Sequence, residues 1–318
     1  MSRVVAIGEV SIELSRGDDG RYGLSFGGDT FATAVRLARL GVPTAFATVL
    51  GDDPYSRAII AATEAEGIAT DLIVRIAGTK PDLTLFDTAA SGEHLVNEWR
   101  AGAPARHLFA VQGWGNLAEA MTQARLVYIS GATLSLYDNV GVGRLLATLE
   151  VARERGAKVA FGGRFQPHGW GGDAARARAI STEALHRIDI ALANFADEAL
   201  LFGDTSPAAT LDRLAAAGVA EIVVKAGAEG VFVHSGGESS HVAADHENDP
   251  AAKPVATGGA FNAGYLAARL GDEPPTAAAI SALRAAEGAR QDSHDKAVNG
   301  PRTGQVNGSF TDQTPSRH

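Results

Sequence analysis

Residues 253–267, Lys253-Pro254-Val255-Ala256-Thr257-Gly258-Gly259-Ala260-Phe261-Asn262-Ala263-Gly264-Tyr265-Leu266-Ala267, combine an extended approach, a glycine pair and an apolar helical run. A helix that opens just after glycines presents unpaired N–H groups and the positive end of its dipole. That arrangement suits a phosphate or a developing anion. Ahead of another helical run, Gly27-Gly28-Asp29 offers backbone N–H groups that a hydroxyl or carboxylate can approach closely, and an aspartate suited to accept a hydrogen bond from a hydroxyl. The competing use of Asp29 is to cap the helix that follows it. Gly227 and Gly230, after Lys225, let the backbone pass close to a ligand in a strand–turn–strand element; a plain hairpin would use the same residues.

The elements that must position these groups follow an alternating rhythm. Short β-branched runs predict strands over 3–8, 45–50, 126–130, 158–161, 188–193, 221–225 and 230–234. Helical patterns lie between them over 30–40, 54–66, 140–155, 173–186, 207–217, 260–269 and 276–290. Such alternation predicts a parallel sheet with helices on both faces, and the unbroken run Leu126-Val127-Tyr128-Ile129 fits a strand buried on both sides. Two segments, 12–26 and 83–99, break the rhythm as extended pieces turning at Asp18-Asp19-Gly20 and Ser91-Gly92. They are expected to pair into a small second sheet over the main one; two surface hairpins without a role are the alternative. Residues 291–318 hold few apolar side chains and predict a poorly ordered tail.

Composition narrows the chemistry. The chain has 318 residues, enough to bury a large core in one or two domains, with 37 glycines and only 6% aromatics, as in an α/β enzyme. A formal net charge of −9 argues against nucleic-acid or acidic-membrane partners, so an anionic substrate needs a local cluster of cations or helix ends. The absence of cysteine excludes disulfides, thiol catalysis and Cys-based zinc sites. No apolar run approaches the roughly 18 residues of a membrane span, and a strand begins within the first residues, so a cytoplasmic location is expected. A dinucleotide-dependent oxidoreductase is disfavoured, because Gly8-Glu9-Val10 after the first strand lacks Gly-x-Gly-x-x-Gly.

In chain order, Ala6-Ile7-Gly8-Glu9, Phe26-Gly27-Gly28-Asp29-Thr30 with Leu37-Ala38-Arg39-Leu40-Gly41, Gly51-Asp52-Asp53, Glu98-Trp99-Arg100, Tyr128-Ile129-Ser130-Gly131, Lys225-Ala226-Gly227-Ala228-Glu229-Gly230 and the 253–267 stretch resemble the ribokinase-like sugar kinases. Within that family, Thr88-Ala89-Ala90-Ser91-Gly92-Glu93 followed by Arg100 resembles in particular the lid of the 2-keto-3-deoxygluconate kinases. The resemblance covers roughly residues 3–290. It implies an α/β fold, a ribokinase-like three-layer sandwich with a mostly parallel sheet and a small β-sheet lid. One kinase domain would then span 1–290. It implies ATP and Mg²⁺ as co-substrate and cofactor, a sugar acid phosphorylated at a primary hydroxyl, and a homodimer formed through the lid, whose edges need cover.

Carried onto this chain, the resemblance places Gly27, Gly28 and Asp29 against the sugar. Arg100 faces its carboxylate, although a lone surface arginine is the plain alternative. Asn194, Lys225, Gly227, Gly230 and Gly258 fall toward the nucleotide, and Gly258 also at the anion hole. Asp197 takes a Glu position that helps order Mg²⁺, while Asn194 serves equally well to cap a helix over 195–202. Several polar positions have changed. Gly162, Arg164 and Gln166 stand for Asp, Asn and Arg, Thr84 for Tyr, and Ala32 for Asn. In an ungapped match Gly259 stands where the catalytic aspartate belongs; a match anchored at the family's upstream aspartate puts Ala256 in its place with a deletion of about two residues. Asp245 and Asp249 lie upstream. Losing a general base costs roughly 10²–10⁴-fold in rate. A catalytically silent relative that binds sugar or nucleotide is therefore the alternative to an active kinase.

Overall fold

The computed structural model describes residues 3–17, 19–88, 94–100, 102–244 and 254–299. The turn expected at Ser91-Gly92, Asp245 and Asp249, and the tail beyond Asn299 lie outside the described residues.

The chain opens with β1 (Val4–Ile7), then runs through β2 (Ser11–Arg16) and β3 (Tyr22–Gly27) into α1 (Asp29–Arg39). It continues with β4 (Thr44–Leu50), α2 (Pro54–Ala65), β5 (Ile73–Arg75), β6 (Leu83–Thr88) and β7 (His94–Trp99). The middle third holds α3 (Trp114–Thr122), β8 (Leu126–Ser130), α4 (Gly131–Leu136), α5 (Asn139–Glu154), β9 (Lys158–Gly162) and α6 (Ala174–Leu185). The last third holds β10 (Ile190–Asn194), α7 (Phe195–Phe202), α8 (Pro207–Ala216), β11 (Glu221–Lys225), β12 (Val231–Ser235), β13 (Glu238–Val242), α9 (Pro254–Leu270) and α10 (Pro275–Asn299).

Nine strands form the main sheet in the order β13-β12-β11-β10-β9-β8-β1-β4-β5, parallel from β11 to β5 and closed at one edge by the antiparallel β12 and β13. Side chains alternate across each strand, which is why these strands read as unbroken apolar runs. Val5, Ile7, Val127 and Ile129 pack with α3–α6 and α8 on one face. Val4, Ala6, Leu126 and Tyr128 pack with α1, α2, α9 and α10 on the other. The two rhythm-breaking segments pair as expected. β2 lies antiparallel to β3 and parallel to β6, β6 lies antiparallel to β7, and the result is a separate four-stranded sheet in the order β3-β2-β6-β7.

One local expectation differs. The extended approach before residue 260 is helical, because α9 starts at Pro254, and proline at a first helical position is already set for the helix. Gly258 and Gly259 therefore stand in its second turn, despite each costing about 1 kcal/mol in helix propensity. Packing supplies the compensation, since Phe261, Tyr265 and Leu266 are all buried. At the other end, α10 continues through Asn299, past the boundary placed after residue 290.

Candidate functional site

The parallel strands end on one side of the sheet, below the lid, and the chemistry-bearing residues gather at those carboxyl ends. The chain returns from the lid through Gly28, whose φ of 155° falls where glycine is favoured. A Cβ there would lie 2.4 Å from the Glu9 carbonyl oxygen, so only glycine lets the lid strand and the start of α1 meet the end of β1. Gly27 lies directly under the Glu13 carboxylate; a Cβ on it would come within 2.1 Å of the carboxyl carbon.

Asp29 is the first residue of α1, and Gly28 holds the capping position without a side-chain cap. The Asp29 carboxylate does not cap. Its Oδ2 is buried and has no hydrogen-bond partner among the described residues. Its charge acts on Lys225, Tyr128 and Asp197, which come from β11, β8 and α7. Those groups are themselves linked. Lys225 Nζ donates to Asn262 Oδ1 at 2.8 Å, and Asn262 Nδ2 donates to the Tyr128 hydroxyl at 2.8 Å. Thr33 Oγ1 on α1 reaches the same hydroxyl at 3.5 Å. Burial of the ammonium group pushes Lys225 down to about 8, against the opposing pull of Asp29 and Asp197. Burial, reinforced by the Asp29 charge, raises the Tyr128 phenol.

Two of the altered positions lie against this chain of bonds. At Gly162, at the end of β9, a Cβ would sit 2.4 Å from the Tyr128 hydroxyl oxygen. The tyrosine thus fills the space of a side chain at 162. At Gly259 a Cβ would find ordinary contacts on α1, 3.4 Å from Ala32 Cβ and 3.5 Å from Thr33 N and Oγ1. A Cβ on Gly258 would meet nothing outside its own helix within 4 Å among the described residues. Because α9 begins at Pro254, which has no N–H, its unpaired N–H groups fall in residues 255–257, ahead of Gly258.

At the carboxyl end of β10, Asn194 Oδ1 accepts from Ala196 N at 3.0 Å and so caps α7. Asp197 Oδ2 accepts from Phe165 N at 3.4 Å, and burial raises its carboxyl. The neighbouring Glu198 is taken up by Arg213 at 2.6 Å. Gly227 and Gly230 lie in the turn from β11 to β12. A Cβ on Gly230 would meet Val242 O at 2.2 Å, so this glycine is required by β13 before any ligand is considered.

Under the lid, Arg100 is a buried side chain rather than a surface one, only 10% exposed. Its guanidinium grips Glu9, with Nε 3.2 Å from Oε2 and Nη2 on Oε1, and lies 3.6 Å from Glu98. Burial raises the Glu9 carboxyl despite this arginine. Asp82 is buried close by, with Oδ2 unpartnered among the described residues; burial and the Glu9 charge push it up to about 7. Glu98 also reaches His168 Nε2 at 2.6 Å. Glu9, Asp82 and Glu98 were not singled out as site residues from the sequence, although Glu9 lies two residues past the first strand and Glu98 two residues before Arg100.

A doubly wound sheet carrying a four-stranded lid above its carboxyl ends, with a Gly-Gly-Asp helix start and facing it a helix with a glycine pair in its second turn, defines a sugar-kinase scaffold. Residues 1–297 match the pfkB family carbohydrate kinases, and the chain belongs to that family. It is 34% identical to the 2-dehydro-3-deoxygluconokinase of Dickeya dadantii over 274 residues, 84% of this chain and 87% of that one. It is 32% identical to the enzyme of the same name from Escherichia coli K12 over 275 residues, 84% and 88% of the two chains. Among solved structures, 2-dehydro-3-deoxygluconokinase from Thermotoga maritima superposes with a TM-score of 0.76 at 19% identity, covering 91% of this chain and 94% of its own. An E. coli protein described as a ribokinase II in complex with ATP and Mg²⁺ superposes with 0.75 at 20% identity, covering 91% of each chain.

Proposed function

We propose that the chain phosphorylates a sugar acid, 2-keto-3-deoxygluconate (the same compound as 2-dehydro-3-deoxygluconate), at its primary hydroxyl with ATP as donor. The observation that carries the reading is Arg100, a buried guanidinium under the lid, together with relatives of that name above 30% identity. A guanidinium fork pairs with the carboxylate of a sugar acid. Gly27, Gly28 and Asp29 then face its hydroxyls, and Asn194, Lys225, Gly227, Gly230 and Gly258 face the nucleotide.

Mg²⁺ would enter on the ATP phosphates, where it neutralises charge on the transferring group. No group of three or more His, Asp or Glu that could hold a metal ion occurs among the described residues. That fits an ion that keeps its waters and uses one or two carboxylates. Asp197 is the carboxylate suited to it; Glu198 is committed to Arg213. Apolar side chains on the lid edges, Tyr22 and Leu24 on β3 and Leu95, Val96 and Trp99 on β7, are exposed and support a homodimer through the lid. No helix among the described residues is long and apolar enough to cross a membrane. A reaction fed by ATP and a free sugar acid belongs in the cytoplasm.

Gly162 and Gly259 favour a second reading, a silent relative that binds sugar or nucleotide without transfer. A coupled assay with ATP, Mg²⁺ and 2-keto-3-deoxygluconate, run beside calorimetry of each ligand, separates the two. Sugar-dependent ADP formation supports the kinase, and binding with no turnover supports the silent relative.

A further inference from the structure

The site lacks a side chain at 259 but holds a carboxylate, Asp29, whose Oδ2 has no hydrogen-bond partner among the described residues. Leaving a buried acceptor unpaired is costly, and Asp29 Oδ2 is such an acceptor among the described residues. Capping does not account for it, because the N-cap is Gly28. Residues three and four apart share a helix face, so Asp29 lies one turn from Ala32 and Thr33. These are the residues that a Cβ at position 259 would touch, at 3.4 and 3.5 Å. A side chain from 259 on α9 and the Asp29 side chain on α1 therefore border the same corner of the site. Around that corner stand the titratable and charged groups Tyr128 from β8, Arg164 after β9, Asp197 from α7 and Lys225 from β11.

We infer that Asp29 is the general base of this chain, taking from α1 the proton that a carboxylate at 259 would take from α9. The inference rests on the kinase reading above. In the step, Asp29 Oδ2 accepts the proton of the primary hydroxyl. The hydroxyl oxygen forms a bond to the γ-phosphorus of ATP, the bond from that phosphorus to the β,γ-bridging oxygen breaks, and ADP leaves with the electron pair. Lys225 provides positive charge facing the transfer, and the proton on Asp29 passes to solvent when products leave.

The test compares the full chain with Asp29→Asn and with Asp29→Asn/Gly259→Asp, reading kcat and KM for 2-keto-3-deoxygluconate with MgATP and the melting temperature of each. Asparagine keeps the shape and can still accept a hydrogen bond, but it cannot take the proton. Asp29→Asn is expected to lower kcat by about 10²-fold or more, with sugar KM changed less than about threefold, and Gly259→Asp is expected to return at least about tenfold of the loss. A kcat within about threefold of wild type, or a loss confined to KM, overturns the inference while the kinase reading stands. Absence of any turnover in the wild-type chain removes the kinase reading and the inference with it. If Asp29→Asn does not fold, Asp29→Ala with added formate decides: formate-dependent recovery of kcat supports the base, and no recovery overturns it.

Discussion

The hydroxyl of Tyr128 occupies the volume that a side chain at Gly162 would need, 2.4 Å from the position of a Cβ. Tyr128 is fully buried and held by Asn262 at 2.8 Å, so it has little room to swing aside. Overpacking of this kind costs roughly 1–3 kcal/mol. Gly162→Asp alone is expected to lower the melting temperature by a few degrees and leave turnover unimproved. Combined with Tyr128→Phe, which removes the oxygen at the cost of the hydrogen bonds it accepts from Asn262 and Thr33, the loss is expected to shrink. Thermal melts of the single and double variants check this; equal melting of Gly162→Asp and wild type would contradict it.

Glu9 and Arg100 form a buried pair of opposite charges. Removing one partner from such a pair costs about 3–5 kcal/mol, because the other charge stays buried alone. Arg100→Met is therefore expected to destabilise the fold by about that amount in a urea titration, although Glu98 remains close to Glu9 and His168. Glu9→Gln/Arg100→Met is expected to recover most of it. In a calorimeter, the single and the double variant, both without the Arg100 guanidinium, should lose affinity for the sugar acid and keep affinity for ATP.

Most of the scaffold was legible because its signals are local. Apolar runs such as Leu126–Ser130 and helical stretches such as that of α5 announce themselves within a few residues. The two lid segments stood out by breaking the rhythm. β13, with the sequence ESSHV, carried no apolar pattern and is a strand only through its pairing with β12. The site was less legible, since its decisive contacts are distant in sequence. Arg100 meets Glu9 across 91 residues, and Asn262 meets Tyr128 across 134. Sequence also could not settle whether Asp29 caps its helix. That turned on Gly28 taking the cap position, which depends on the backbone path out of the lid.

Asp82 makes stability depend on pH. Its carboxyl titrates at about 7 in the folded chain, mainly through burial, against roughly 3.9 when unfolded. Between these values the unfolded chain has released the proton and the folded chain has kept it. The stability held below about pH 3.9 is therefore lost progressively as pH rises, until both states are ionised above 7. Asp82→Asn removes the effect. The variant is expected to melt close to wild type near pH 4.5 and roughly 3 °C above it at pH 8, as read by circular dichroism. A difference that is constant across pH would show that Asp82 titrates normally.

Lys225 has the opposite dependence, and it separates stability from binding. Burial lowers it to about 8 in the folded chain, against roughly 10.4 unfolded. The folded state holds the proton less well, so the cost of the buried cation is present below pH 8 and fades as pH rises toward 10.4. Binding runs the other way. Below pH 8 the ammonium is charged and attracts phosphate; above it the charge is lost. ATP affinity measured by calorimetry is therefore expected to fall by up to about tenfold between pH 7 and 9.5, a difference of roughly 1.4 kcal/mol, while the contribution of Lys225 to stability improves. Lys225→Met keeps the length of the side chain without the charge. It should bind ATP weakly with no trend over that range, and its melting temperature relative to wild type should decline as pH rises through 8. Wild-type affinity that stays level across the same range would mean that Lys225 does not face the nucleotide.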